Sequence, residues 1–380
     1  MIIFEVNNYY YICLKKNIWV ENIVDNFKIF GSDKVLKELE KSENMVFACV
    51  LGNTAVSKIE GISGAGGSPE MTPYTPALDV ELMLRNAALS LPEIAITESD
   101  EVPAPTPGLL TKTTYELLNM PFVAVSAGLE VEPKTSYISL NGQPGGDLRE
   151  GKGVPNPKEI FDNAVETGKL LSQLADHLMI GESTPAGTTT AQGVLTALGY
   201  DVEGKVSGCM MHNPHELKTS VVNAALEKHN LKPGDLKDDA FKAVEVAGDP
   251  TIIAAAGLAI GSSVPVTLAG GTQMTAVIAT IKAIKPDYDF SNIAIATTVY
   301  VANDETSNIL DIVNQIADVA VYAADPKMEN SSNPGLASFA KGSVKEGVGA
   351  GGSVLYAYLK GITPEEYLAK LEELTAAVFG

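Results

Sequence analysis

The sequence is short of cysteine, histidine and positive charge, and each shortage removes a class of function. Its three cysteines, Cys13, Cys49 and Cys209, form no CxxC pair. That argues against a structural zinc site and fits a reducing compartment, hence a cytoplasmic protein. Four histidines include one close pair, His212 and His215. Metal binding needs further ligands at matching spacing, so the pair reads as polar loop residues ahead of a helix, and no metal is expected. Lysine and arginine total 27 against 47 acids, a net charge of −20. Nucleic acid and anionic membranes are therefore disfavoured as partners. A small anionic substrate would have to be held by local donors.

Long apolar runs are also missing. No stretch of about 18 uninterrupted apolar residues occurs, so no membrane span is expected. The first residues are aromatic-rich but lack a basic segment followed by an apolar core, so they do not read as a secretory signal. Residues 1–17 are expected to be a poorly ordered N-terminal extension. The phosphate-binding pattern GxxxxGK[ST] and the nucleophile elbow GxSxG are absent. Gly347, Gly349 and Gly352 match the letters GxGxxG. No clear strand precedes them, and too little chain follows for a βαβ unit, so a dinucleotide site is not supported. No pair of acids follows a strand ahead of a threonine-rich loop, which argues against a magnesium site for ribosyl pyrophosphate.

What is present is ample apolar material. With 45% hydrophobic residues in 380, the chain can build one large or two medium domains. Period and composition predict helices over 18–30, 33–39, 77–89 and 157–178, the last continuing an apolar helical stretch over 170–180. Strands are predicted over 45–51, 92–97, 122–125 and 206–210. Downstream the rhythm alternates: helices at 215–229, 239–246, 251–260, 272–284, 309–316 and 353–359, strands at 264–269, 293–298 and 319–323. Long glycine- and proline-rich loops fall at 59–76 and 141–156, the second a candidate lid or domain boundary. Thr363-Pro364-Glu365-Glu366 is a capping box opening the last helix. Strand, glycine turn and helix in alternation predict an α/β fold with a three-layer, Rossmann-like parallel sheet and helices on both faces. A smaller domain would form partly from the N-terminal segment. Ligands of such sheets sit at the carboxyl ends of the strands.

Two loops carry the candidate chemistry. In the first, Gly181-Glu182 leads through a proline and Gly187 to Thr188, Thr189 and Thr190. Glycine and hydroxyl residues opening a helix make an anion site, because the first amides are unpaired and the helix dipole is positive there. Glu182 is odd for phosphate alone; it suits a sugar hydroxyl or a cationic ring. In the second, Glu346 lies between Lys345 and Gly347 ahead of a helix. A carboxylate at a helix N-terminus is favoured as the anion and available as a base. Gly270-Gly271 opens another helix and could supply amides. Lys218, with Lys242 behind it, is one of few cations near these loops.

The order of these pieces resembles the nicotinate-nucleotide:dimethylbenzimidazole phosphoribosyltransferase family of cobalamin biosynthesis, in a divergent archaeal branch. Gly181-Glu182 through Thr188-Thr189 is similar to that family's glutamate and double-threonine loop. Lys345-Glu346-Gly347-Val348-Gly349-Ala350 is similar to its segment carrying the catalytic base. Gly61-Ile62-Ser63, followed by Pro69-Glu70-Met71-Thr72, is similar to its loop near the benzimidazole pocket, and Leu217-Lys218 to a helix whose lysine lies near phosphate. Ser183-Thr184-Pro185-Ala186 replaces a more glycine-rich family loop.

The resemblance implies a pentosyltransferase that moves phosphoribose from nicotinate mononucleotide to a benzimidazole-type base, giving an α-ribazole phosphate for the lower ligand of cobamides. It implies Glu346 and Glu182 as catalytic residues. Gly187, Thr188, Thr189, Lys218, Gly270 and Gly271 would bind phosphoribose, and Ser63 the base. No cofactor and no metal are implied. Residues 18–380 would form the phosphoribosyltransferase-like α/β domain, with a smaller helical subdomain from the N- and C-terminal segments, and the protein would be a homodimer. The alternatives are a phosphoribosyltransferase or nucleoside phosphorylase-like enzyme with another base, or a non-catalytic nucleotide-binding protein.

Overall fold

The structure is a computed structural model that describes residues 2–6, 9–14, 17–24, 26–92, 96–97 and 102–379. In chain order its elements begin with β1 (Ile2–Val6), β2 (Tyr9–Leu14), β3 (Asn17–Val24), β4 (Phe27–Phe30), α1 (Lys34–Lys41) and β5 (Met45–Gly52). Then come α2 (Thr75–Arg85), β6 (Ile96–Thr97), β7 (Ala104–Pro105), α3 (Gly108–Leu118), β8 (Phe122–Gly128) and β9 (Ile138–Ser139). The middle holds α4 (Pro157–Leu171), β10 (His177–Ser183), α5 (Gly187–Leu198), α6 (His215–Lys228), α7 (Ala240–Ala247) and α8 (Pro250–Gly261). The last part holds β11 (Val266–Ala269), α9 (Gln273–Ile284), β12 (Ile293–Thr298), α10 (Val299–Ala302), α11 (Ile309–Ile316), β13 (Ala320–Ala324), α12 (Pro334–Ala337), α13 (Ala350–Leu359) and α14 (Pro364–Phe379).

One sheet organises the chain. Its parallel part has the order β9-β8-β5-β10-β11-β12-β13. β4 adds antiparallel beyond β13, and β3, β2 and β1 continue that edge antiparallel. β5 is buried along its whole length, as an apolar run covered on both faces should be. Its side chains alternate between two cores. Ala48 and Val50 join the core under α4, α5, α8 and α9. Phe47 and Cys49 join the core under α2, α3 and α13. This is the predicted α/β arrangement with helices on both faces.

Three expectations fail, for identifiable reasons. Residues 18–30 are not a helix: β3 and β4 are paired strands, and β4 buries Phe27, Ile29 and Phe30 beside β13. Aromatic and β-branched residues at three- and four-residue spacing also satisfy a pleated strand. The helix expected to 178 ends with α4, and β10 begins at His177. Short apolar runs cannot separate a central strand from a buried helix, and Asp176 makes the break by accepting the amides of Glu43 and Asn44. Residues 206–210 pair with no strand; side chains take the carbonyls of Val206, Ser207 and Gly208, and the Val344 amide takes that of Cys209. α3 was not foreseen. The capping box forms as expected, with Glu366 N to Thr363 Oγ1 at 3.2 Å and Thr363 N to Glu366 Oε2 at 2.9 Å. The strand expected at 92–97 is described only as β6; residues 93–95 lie outside the described residues.

From β5 the chain passes to β8 on one side of the sheet, then returns to β10 and proceeds to β13 on the other. The reversal lies between β5 and β10. A crevice opens at such a point beyond the carboxyl ends of the strands, and β10 ends there in Glu182 and Ser183.

Candidate active site

The crevice is a cleft of about 860 Å³, counting space open to solvent. The end of β10, the starts of α5 and α9 and one late loop line it. β10 delivers Glu182 and Ser183, and a turn through Ala186, in the left-handed region at φ 64°, starts α5. At Gly187 a Cβ would lie 2.1 Å from the Gln273 side-chain oxygen, so the Gln273 amide would have to shift to admit one. Gly271 and Gln273 at the start of α9 also line the cleft.

The late loop is under strain. Val344, Lys345 and Val348 have φ of 64°, 61° and 53°. For β-branched residues this conformation is unfavourable by about 1–3 kcal/mol each. Hydrogen bonds over-determine it. Val344 N reaches Cys209 O at 2.7 Å and Val348 N reaches Glu182 O at 2.8 Å. Thr298 Oγ1 donates to Lys345 O, and Thr111 Oγ1 to Val348 O. The bend turns Glu346 into the cleft.

Glu346 is partly open to the cleft and richly supplied with donors. Gly351 N lies 3.0 Å from Oε1, Thr298 N 3.1 Å from Oε2, and Gly347 N 3.3 Å from Oε1. Thr297 Oγ1 adds a longer contact of 3.4 Å. α13 can bring its first amides this close because Gly351 lacks a Cβ, which would sit 2.0 Å from the Thr297 carbonyl carbon. Burial pushes the Glu346 carboxyl up to about 7, against the pull of these donors. A carboxyl poised there takes a proton readily at neutral pH.

Glu182 is in a different environment. It is only 7% exposed, and its Oε2 has no partner among the described residues. Burial, then the charges of Asp249, Glu346 and Asp79, hold it well above the usual carboxylate range. Asp79 also lines the cleft. It is 2% exposed and accepts from Thr106 Oγ1 at 2.6 Å and Ser183 Oγ at 2.7 Å, and burial raises it to about 6. Asp249 caps α8, accepting from Thr251 N at 2.8 Å, and also takes the Thr190 hydroxyl.

Of the residues expected at the site, Ser63, Glu182, Gly187, Thr188, Gly271 and Glu346 line this one cleft. Thr189, Gly270 and Lys218 do not. Thr189 points its hydroxyl into the protein, buried and without a partner among the described residues. Gly270 donates its amide to Ala296 O. Lys218 is buried behind the wall, bonded to Ser207 O at 2.6 Å and Asn213 Oδ1 at 2.7 Å, and burial lowers it to about 8. Lys345 lies behind the same wall, paired with Asp304 at 3.1 Å and bonded to Gly208 O. Among the described residues no lysine, arginine or histidine lines the cleft. His212 and His215 form no metal cluster with other described residues.

Sequence reasoning missed Asp79, Ser183, Thr106 and Cys209. Asp79 left one signal: an acid inside the apolar run of α2. Its neighbour Glu81 left the same signal for another reason. Glu81 is bonded to Leu89 N, Ser90 N and Lys134 N, and so ties loops together.

No protein-family profile matches the chain. A UPF0284 protein of Methanothermobacter thermautotrophicus is 51% identical over 350 residues, covering 92% of this chain and 97% of that protein. The chain belongs to the UPF0284 family. Other UPF0284 members are similarly related: that of Methanosarcina mazei is 41% identical over 88% of this chain and 95% of its own length. Among solved structures, the UPF0284 fold matches CobT of Thermus thermophilus at a TM-score of 0.54 and 16% identity, covering 87% of this chain and 83% of that one. A nicotinate-nucleotide-dimethylbenzimidazole phosphoribosyltransferase from the same organism matches at 0.56 and 16%, covering 89% and 87%. The resemblance read from the motifs holds at the level of fold. No helix among the described residues is long and apolar enough to cross a membrane.

Proposed function

We propose that this UPF0284 protein is a phosphoribosyltransferase that moves phosphoribose from nicotinate mononucleotide to a benzimidazole-type base. The observation that carries the reading is that Glu182 and Glu346, 164 residues apart in the chain, line one cleft at the sheet's switch point. The fold shared with enzymes named for that reaction supports it.

The chemistry follows from the charges. In the donor, the ring nitrogen bonded to C1′ is cationic. When that bond breaks, its electron pair returns to the ring, and nicotinate leaves without needing an acid. The acceptor is the harder partner. One ring nitrogen bonds to C1′ while the other gives its proton to the Glu346 carboxylate. Such general-base help is typically worth about a hundredfold to ten-thousandfold in rate. Attack opposite the leaving ring inverts C1′ from β to α.

With no lysine, arginine or histidine lining the cleft among the described residues, phosphate would be held by amides at the start of α5 and α9 and by the Thr188 hydroxyl. Lys218 would act at one remove, by fixing the Ser207 carbonyl. Ser63, Ile62 and Pro107 border the space for a flat base. The test is Glu346→Gln, assayed by nicotinate release with a panel of benzimidazoles and purines. The expected result is loss of transfer with nicotinate mononucleotide still bound by calorimetry. Wild-type turnover in the variant would overturn the assignment of the base.

A further inference from the structure

The two cleft glutamates differ in kind. Glu346 accepts from three backbone amides and a hydroxyl, the surroundings of an anion. Glu182 presents a buried oxygen, Oε2, with no partner among the described residues, and the Thr184 hydroxyl alone favours its charged form. The charged groups facing Glu182 are acids from three directions: Asp79 on α2, Asp249 at the cap of α8, and Glu346 on the late loop. Cys49 on the adjoining strand is a neutral thiol, held well above its ordinary range by burial and by Asp79 and Glu182. A carboxylate with one oxygen unpartnered, only the Thr184 hydroxyl to favour its charge and three other carboxyls around it is unfavourable, whereas a neutral acid there offers one O–H donor to a ligand. Paired acids whose surroundings separate their protonation divide the acid and base roles between them.

We infer that Glu182 stands in the cleft as a neutral carboxylic acid that donates a hydrogen bond to a sugar oxygen, and that Asp79 and Asp249 are positioning residues that keep its proton in place. This rests on the phosphoribosyl reading and decides between two roles for Glu182. It binds a ribose oxygen as donor and does not stabilise ribose cation character as an anion. Asp79, raised by burial to about 6, is charged at neutral and alkaline pH. Thr106 and Ser183 hold both its oxygens, and Ser183 is the residue next to Glu182.

The test is binding of nicotinate mononucleotide by calorimetry from about pH 6 to about pH 10, without acceptor. Wild-type affinity should fall about tenfold per pH unit above the point where Glu182 ionises. Glu182→Gln, whose amide donates at any pH, should lose that alkaline fall. Asp79→Asn and Asp249→Asn keep the hydroxyl contacts and cap but remove charge; each should move the fall to lower pH, by about half a unit or more. A purely structural Asp79 would leave it unmoved. Infrared difference spectra of unliganded wild type and Glu182→Gln at about pH 8 give a ligand-free check: the wild type should show the carbonyl band of a protonated carboxyl. Affinity that rises as Glu182 ionises, or a carboxylate band only, would overturn the inference. Donor binding with this pH profile but transfer to no base would overturn the proposed reaction and leave the inference standing.

Discussion

The Val348 amide donates to the Glu182 carbonyl over 2.8 Å. This main-chain bond ties the end of β10 to the loop carrying Glu346, so the backbone positions of the two acids are set against each other. A ligand between them meets a frame set before it arrives, which is what orientation of C1′ requires.

The first prediction concerns pH and turnover. Glu346 is pushed up to about 7, and the proposed base form is the carboxylate. Transfer should therefore rise with pH through about 7, and kcat/KM below that should fall about tenfold per unit. A profile flat from about pH 5 to about pH 8 would remove Glu346 as the titrating base.

The second concerns two adjacent threonines. Thr188 lines the cleft, whereas Thr189 buries a hydroxyl with no partner among the described residues. Thr188→Val should weaken nicotinate mononucleotide binding several-fold, about 1 kcal/mol for a lost hydrogen bond. Thr189→Val should leave binding unchanged and raise stability by about 1 kcal/mol, because a methyl replaces an unsatisfied polar group of similar size. Calorimetry and urea unfolding on both variants decide it. Equal effects on binding would mean that the two residues share one role.

How far these features could be read from the sequence differs residue by residue. Glu182 and Glu346 were legible because glycine and threonine around an acid leave a local signature. Parallel strands such as β5 and β12 were legible as apolar runs. β10 was not, because Leu178 to Ile180 carry the same apolar letters as the end of a helix, and only the partners β5 and β11 decide the matter. Lys218 was legible as a cation near the loops. Its side chain is spent on Ser207 O and Asn213 Oδ1, a choice made by tertiary packing. Asp79 needed Thr106 and Ser183 beside it before its role could be seen, and no local pattern announces them.

The third prediction concerns Asp79 and stability. Its carboxyl ionises at about 6 when folded, against 3.8 for the ordinary group. A raised acid is neutral in both states at low pH; above its ordinary value the unfolded chain gains from ionisation first. Its stabilising contribution is thus fully present below about pH 4 and is lost as pH rises through about 6. A gap of about two pH units corresponds to about 3 kcal/mol. Asp79→Asn escapes that loss and keeps hydrogen-bonding atoms for both hydroxyls. It should match the wild type near pH 4 and exceed it near pH 8 in urea unfolding. Equal stability at both pH values would show that Asp79 is not carried as a buried, raised acid.

The last concerns the strained loop. Val348 sits at φ 53°, where a β-branched residue is disfavoured and glycine is not. Val348→Gly relieves that strain, of about 1–3 kcal/mol. It also loses a buried apolar side chain, of about 1–2 kcal/mol, and adds freedom to the unfolded chain. The opposing effects leave stability within about 1 kcal/mol of wild type. Activity should fall nonetheless, because Val348 follows Glu346 by two residues and its side chain lines the cleft. A loosened loop holds the base less well, so kcat should drop about tenfold or more while donor binding changes little. Unfolding and steady-state kinetics on the same variant separate the two effects. Unchanged kcat would mean that the strained backbone serves folding and not the alignment of Glu346.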